Sequence, residues 1–398
     1  MLRGSVLSVP DFRRLWLCGL AVSVARWLEM LVIGVVVWQQ TQSAFLVAAM
    51  TLLRLLPMGL FGAVLGVVAD RVERRGALLV VLGIQGGGMA ALALLALAGD
   101  LAVWQIALAS VASGVGWATD NPVRRMMLGD ILGAPRMATG MSLDVMGNNA
   151  SRIGGPAAGG MLLAAFGPWA AFAAALALYL VAIALAARLD HRGRPGPTRP
   201  GSVLAEVAGS FRLALRVPAL RGIMVVTVIF NVFAWPFASM VPVIGQEVLH
   251  LGPEGVGFLA SMEGLGALAG ALAITLRART DQYPRLFLGG AALYLGMVTA
   301  FALAPTPLLA GAALALVGLG GAAFASMQAT MVYLVTPPEL RSRALGVLSV
   351  AVGSGLLGFL HIGILANLVG ARAATALIGA EGLLALVLTR RIWRGLRG

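Results

Sequence analysis

Fourteen polar or ionisable residues interrupt long apolar runs and are the ones that could do chemistry. In the first half they are Arg26, Glu29, Arg54, Asp120, Arg124, Asp144, Asn148 and Arg152. In the second half they are Asn231, Trp235, Glu263, Gln328, His361 and Glu381. An ionisable group placed in hydrocarbon costs ~2.5–3.5 kcal/mol, so such groups usually face a cavity and find partners. Arg26 and Glu29 lie three apart on neighbouring helix faces, which predicts an internal pair. Asp120 and Arg124 lie four apart and flank Pro122, where a kink is expected. Asp144, Asn148 and Arg152 follow at i, i+4 and i+8, one polar stripe on a single face. Glu263 and Glu381 have no basic residue nearby in sequence. A carboxyl group without a counter-charge in apolar surroundings can load and release a proton near neutrality. Glu29, Asp120 and Glu263 are therefore the leading coupling candidates, with Glu381 behind them. Bland readings stand beside these. Arg124 and Arg125 could snorkel to the inner membrane surface, and the Arg26–Glu29 pair could be purely structural. Asn231 and Gln328 could bond between helices, and His361 could be a packed polar residue.

The elements that must position these groups are membrane helices. Of 398 residues, 60% are hydrophobic and only 11% charged, against roughly 25% charged in soluble domains. Hydrocarbon ~30 Å thick requires ~20 mostly apolar residues per spanning helix. Twelve such runs are predicted, at 15–38, 44–68, 77–98, 101–128, 138–165, 168–187, 220–243, 255–277, 285–304, 308–334, 342–366 and 370–389. The fold class is thus an all-α polytopic membrane protein. The single cysteine, Cys18, permits no internal disulfide and reads as a small packing residue.

All 29 basic residues are Arg, and they alternate from joint to joint. The joints QQTQS, AGD, FGP and APTP carry none, whereas the opposite joints are Arg-rich. Positive charge stays on the cytoplasmic side during insertion, so both termini are expected there. A net charge of +13 is then a topology signal, and nucleic acid is not expected as a partner. The stretch 188–219 begins rich in Pro, Gly and Arg and turns amphipathic from Val203 to Leu215. It reads as a cytoplasmic linker with a surface helix between six-helix bundles at 1–187 and 220–398. VPDFRRLWL at 9–17 matches VPALRGIMV at 217–225, and APRMATGMS at 134–142 falls opposite LRSRALGVL at 340–348. The offsets, 208 and 206, nearly agree, as parallel repeats require.

In GVVADRVERR at 66–75, five charges occupy six positions. Arg donors in a tight turn can pair with acids and helix-end carbonyls of neighbouring helices. Asp130 is the expected acidic partner. With Gly66, Asp70, Arg71, Arg74 and Arg75 in place, this stretch resembles the signature between the second and third helices of the major facilitator superfamily. Glu73 stands where that signature has a glycine. Gly155, Pro156, Gly159 and Gly160 resemble a second signature, in helix five, with Ser151 in place of its leading glycine. A third fails, since SVASGVGW has Gly114 and Gly116 but Ser110 where an arginine is usual. The openings DFRRLWLCGLAVSVARWL and DNPVRRMMLGDI look most like the bacterial branch of enterobactin-type exporters and macrolide-efflux proteins. The resemblance implies twelve helices in two pseudo-symmetric bundles, a latch at the charged turn and proton-coupled export.

No lysine is present, so the phosphate loop of an ATP-driven pump is excluded. Neither H-E-x-x-H nor G-x-S-x-G occurs, and the histidines, His191, His250 and His361, are far apart in sequence, so no enzyme is expected. The duplicated halves disfavour a channel. The expectation is a monomeric secondary carrier in the bacterial inner membrane, with a small-molecule substrate, protons and lipid as partners and no cofactor or metal. Export of an amphipathic compound such as a drug or siderophore leads. Movement of a lysophospholipid or other lipid, and uptake symport of a small metabolite, are the alternatives.

Overall fold

A computed structural model describes residues 6–71, 73–192, 217–337, 340–393 and 396, without the side chains of 60–71, 134, 341–343 and 345. The expected amphipathic helix from Val203 to Leu215 lies outside the described residues. So do the side chains of Gly66, Asp70, Arg71, Arg341 and Arg343.

The described chain is helical. The first half comprises α1 (Pro10–Thr41), α2 (Ala44–Arg71), α3 (Arg74–Ala98), α4 (Val103–Phe166) and α5 (Pro168–Ala187). The second half opens with α6 (Pro218–Ile229), a π-turn at Phe230–Ala234, a 3-10 segment at Trp235–Met240 and α7 (Val241–Glu247). It continues with α8 (Pro253–Arg277), α9 (Tyr283–Leu303), α10 (Pro307–Val335), α11 (Arg341–Gly353), α12 (Gly355–Val369), α13 (Ala371–Leu388) and α14 (Arg390–Trp393). Gly99, Gly167 and Gly370 stop helices at φ of 81°, 84° and 82°, a region that costs glycine little. Thr306 caps α10 by accepting from the Leu309 N–H at 3.4 Å.

Nine helices among the described residues are long and apolar enough to cross a membrane. The other three runs, at 44–68, 101–128 and 138–165, are also helical. They carry Arg54, Asp120, Arg124 and Asp144. α4 spans both the fourth and fifth runs. It leaves helical geometry at Gly133 (φ 66°, ψ 170°), within the joint expected between those two runs, in a conformation that residues other than glycine rarely reach.

Contacts divide the chain into two compact units. Unit 1 holds 1–40, 50–199 and 252–261. Unit 2 holds 41–49, 200–251 and 262–398. The core of unit 1 runs along α1, from Phe12 and Leu15 through Cys18 to Val37, all buried. That of unit 2 is aromatic: Phe230 stacks on Phe324 at 3.8 Å, and Phe237 meets Tyr294 and Phe301 edge-on.

Candidate functional site

Unit 1 holds a buried cluster of ion pairs drawn from α1, α2 and α4. Arg26 donates from one terminal nitrogen to both oxygens of Asp120, at 3.1 and 3.0 Å. Arg124 lies 3.7 Å from the same carboxylate and donates to Asp144 Oδ1 at 2.9 Å and to Asn121 at 3.2 Å. Glu29 pairs with Arg54, and its second oxygen accepts from Ser113 at 3.4 Å. The Tyr179 hydroxyl lies 3.3 Å from Glu29 Oε1 and 3.1 Å from the Gln85 side-chain oxygen. Glu29, Asp120 and Tyr179 are fully buried, and Arg26, Arg54 and Arg124 nearly so.

This arrangement corrects several expectations. Arg26 and Glu29 do not form the internal pair predicted from their spacing: each turns to a different helix, Arg26 to Asp120 and Glu29 to Arg54. Side chains three apart diverge enough around the helix for α2 and α4 to offer better geometry. Arg124 does not snorkel. It sits at 2% exposure between two carboxylates, where pairing outweighs the reach to a membrane surface. Glu29 and Asp120 are accordingly not carboxyls without a counter-charge.

Local sequence makes room for these groups. A Cβ on Gly19 would fall on the Arg124 guanidinium, 2.7 Å from Cζ. Gly116, in the loosely matched Gly-x-Gly, faces Gln85, whose Cγ would lie 2.6 Å from a Cβ there. Two guanidiniums also lie over indoles: Arg26 over Trp117 at 5.1 Å and Arg152 over Trp27 at 4.9 Å. Of the stripe Asp144, Asn148 and Arg152, only Asp144 joins Arg124; the Asn148 carbonyl accepts from Ser151 at 2.8 Å. Sequence reading missed Tyr179, Gln85 and Ser113. The signal for Gln85 and Tyr179 was a lone amide or phenol amid residues with no other hydrogen-bonding side chain.

The glycines of the helix-five signature lie on the second arm of α4. Cβ atoms on Gly155 and Gly159 would come 3.0 and 3.1 Å from the Leu28 backbone of α1. Gly160 meets Gly257 of α8 with similar closeness. Pro156 lends its carbonyl to that same contact.

The charged turn forms a clasp. Arg74 pairs with Asp130, and His191 Nε2 lies 3.3 Å from the same carboxylate. Arg75 donates to the Ala187 carbonyl at the end of α5, and its backbone N–H to Arg192 at 3.1 Å. Asp11 accepts from the backbone N–H groups of Asp190 and His191, and Arg14 bridges Asp11 and Asp190 at 2.9 and 3.0 Å.

Unit 2 is sparser. Asn231 donates to the Thr227 carbonyl at 2.9 Å within its own helix. Gln328 donates to the Thr227 hydroxyl at 3.0 Å across helices. Trp235 stands edge-on to Phe359 at 5.5 Å. Glu263 is half-buried on α8. His361 Nε2 and Glu381 Oε2 meet at 2.7 Å, so Glu381 does have a basic partner, supplied by the preceding helix.

The fold is shared with solved transporters. A POT family transporter, crystallised with a thioalcohol-conjugated peptide, aligns at a TM-score of 0.76 and 12% identity, over 97% of this chain and 96% of that one. The nucleoside transporter NupG aligns at 0.75 and 12%, over 96% and 100%. A bacterial homologue of the human lysosomal transporter Spinster, inward-facing and unoccupied, aligns at 0.67 and 17%, over 98% and 96%. The class these features define is a polytopic membrane transporter of the major facilitator superfamily. Within it, the chain belongs to the transmembrane secretion effector family, whose profile matches residues 5–394. No curated protein matches the sequence significantly.

Proposed function

We propose that this chain is a secondary active carrier, moving a small organic solute by alternating access with a proton gradient as the driving force. The observation that carries the reading is the cluster in unit 1. Three guanidiniums, Arg26, Arg54 and Arg124, face three carboxylates, Glu29, Asp120 and Asp144. In such a balanced set, one added proton or one bound anion leaves a charge uncompensated, at a cost of several kcal/mol. A proton and an acidic or acceptor-rich solute arriving together restore the balance. That linkage is what coupled transport requires. The remaining architecture of the proposal follows the sequence. It has twelve spans in two six-helix bundles, both termini cytoplasmic, in the bacterial inner membrane, with Gly66, Asp70, Arg71, Arg74, Arg75 and Asp130 as the latch.

For the solute, a small polar metabolite fits better than an amphipathic drug or siderophore. The cluster offers charge and hydrogen bonds, and the solved structures sharing the fold include peptide and nucleoside transporters. Export remains a second reading for direction, supported by the family's description as a secretion effector.

The test is flux through the purified chain in proteoliposomes. The solutes are dipeptides, nucleosides, a lysophospholipid and the dye ethidium, each with and without a pH gradient. Gradient-driven flux of a dipeptide or nucleoside, abolished by a protonophore, is expected. Flux of ethidium alone would restore the drug-export reading, and flux insensitive to any gradient would end the carrier reading.

A further inference from the structure

We infer that residues 189–192, the start of the stretch read as a linker, form a strap that closes on unit 1 and opens together with the Arg74–Asp130 clasp. The device belongs to this end of unit 1 and stands apart from the carrier reading. No helix runs through these residues, so their backbone groups need partners from elsewhere. Three helices supply them. Asp11, in the first turn of α1, accepts from the Asp190 N–H through Oδ1 at 3.2 Å and from the His191 N–H through Oδ2 at 2.8 Å. Arg14 donates to Asp11 and to Asp190 and so seals that contact from the side. Leu189 is buried at 1% exposure, although the stretch it opens is rich in Pro, Gly and Arg.

α3 is tied on by a reciprocal cap. The first N–H groups of a helix have no partner within it. Glu73, the residue before α3, makes no side-chain cap. The Arg192 carbonyl instead accepts from the N–H of Arg75, the second residue of α3, at 3.1 Å. In return the Arg75 guanidinium donates to the carbonyl of Ala187, the last residue of α5, where a cation is favoured. One arginine of the charged turn thus holds the strap with its backbone and the end of α5 with its side chain.

α4 is tied on through His191. Its N–H is spent on Asp11, and its ring Nε2 lies 3.3 Å from Asp130 Oδ2, the oxygen that also pairs with Arg74. Asp11 and Asp130 therefore grip the same residue from opposite sides, Asp11 as the positioning residue and Asp130 as the clasp. Contacts that share a partner are not independent. Letting go at Asp11 loosens His191 at Asp130, and letting go at Asp130 loosens the strap at Asp11.

The test is brief digestion of the full chain with trypsin in lipid nanodiscs, with cutting after Arg188 and after Arg279 quantified by mass spectrometry. Both arginines are exposed, and Arg279 stands in the joint between α8 and α9. Proteolysis follows the population of the locally open form, so unequal cutting reports the strap. In the wild type the cut after Arg188 is expected to be the slower by about tenfold or more. Asp11→Ala, which removes both acceptors, should speed it about tenfold and leave Arg279 unchanged. Asp11→Asn keeps one acceptor oxygen, should speed it less, and covers the case in which the Ala variant fails to fold. Asp130→Ala should also speed the cut after Arg188, because it takes away the other grip on His191. Wild-type cutting after Arg188 as fast as after Arg279 overturns the strap. So does a rate indifferent to both Asp11 variants, or an acceleration shared equally by Arg279. A rate indifferent to Asp130→Ala overturns the coupling of strap and clasp.

Discussion

The two units handle buried charge in opposite ways. In unit 1 three carboxylates are held by three guanidiniums, with Glu29 and Asp120 fully buried. In unit 2 one half-exposed carboxylate is held by one half-exposed imidazole. The first arrangement is closely balanced and dry, so a proton or an anion added to it leaves a charge without a counter-charge. The second is a single contact with solvent-accessible partners, so loss of one charge there leaves little uncompensated. Burial, and not the number of contacts alone, decides how much each pair carries.

The comparison breaks most readily at Asp120, which touches two cations. Asp120→Asn leaves Arg26 and Arg124 sharing a buried space without their common counter-charge. Removing one partner of a buried pair costs ~3–5 kcal/mol. Thermal unfolding in detergent, followed by tryptophan fluorescence, should show this as the largest loss in the set. A loss below ~1 kcal/mol would mean that water reaches this carboxylate, and the contrast between the units would collapse.

Next in size is the Glu29–Arg54 pair, through a double-mutant cycle. Glu29→Gln strands Arg54, and Arg54→Gln strands Glu29 beside Tyr179. The double variant removes both charges and should be more stable than the sum of the singles predicts, by ~1–3 kcal/mol. Additivity within ~0.5 kcal/mol would show that each charge has other compensation.

Gly19→Ala comes third. Its Cβ would overlap the Arg124 guanidinium, so Arg124 must move from Asp144 or α1 must shift. Overpacking of this kind costs ~1–3 kcal/mol. The same melting assay reads it, and Gly289→Ala, where a Cβ meets nothing within 4 Å, is the control expected to be near neutral.

How much of this was legible beforehand differs between the levels. The helical runs, the Arg alternation and the polar residues at membrane depth were open to reading because they follow from local composition. Asp130 was singled out as acidic partner to the charged turn, and it meets Arg74 there. Partner choice inside the cluster was not legible. Arg26 and Glu29 looked paired because they are neighbours in sequence, yet the helix cylinder points them at different helices. Tyr179 and Gln85 were passed over as isolated polar residues, since their role exists only once α3 and α5 pack beside α1. Glu381 looked solitary for the same reason: its partner is twenty residues away and one helix back. The joint between the fourth and fifth runs was legible, and the backbone breaks within it at Gly133.

The smallest effect sharpens the comparison most. Glu381→Gln is the same kind of change as Asp120→Asn, a carboxylate turned into an amide. Its pair is half-exposed, and such pairs contribute ~0–1 kcal/mol to stability. The melting temperature should therefore barely move. The same chemical change then costs much where the carboxylate is dry and shared by two cations, and little where it is half-exposed with one partner. If Glu381→Gln destabilised the chain as strongly as Asp120→Asn, the half-exposed pair would be held as tightly as the buried cluster, and burial would not be what separates the two units.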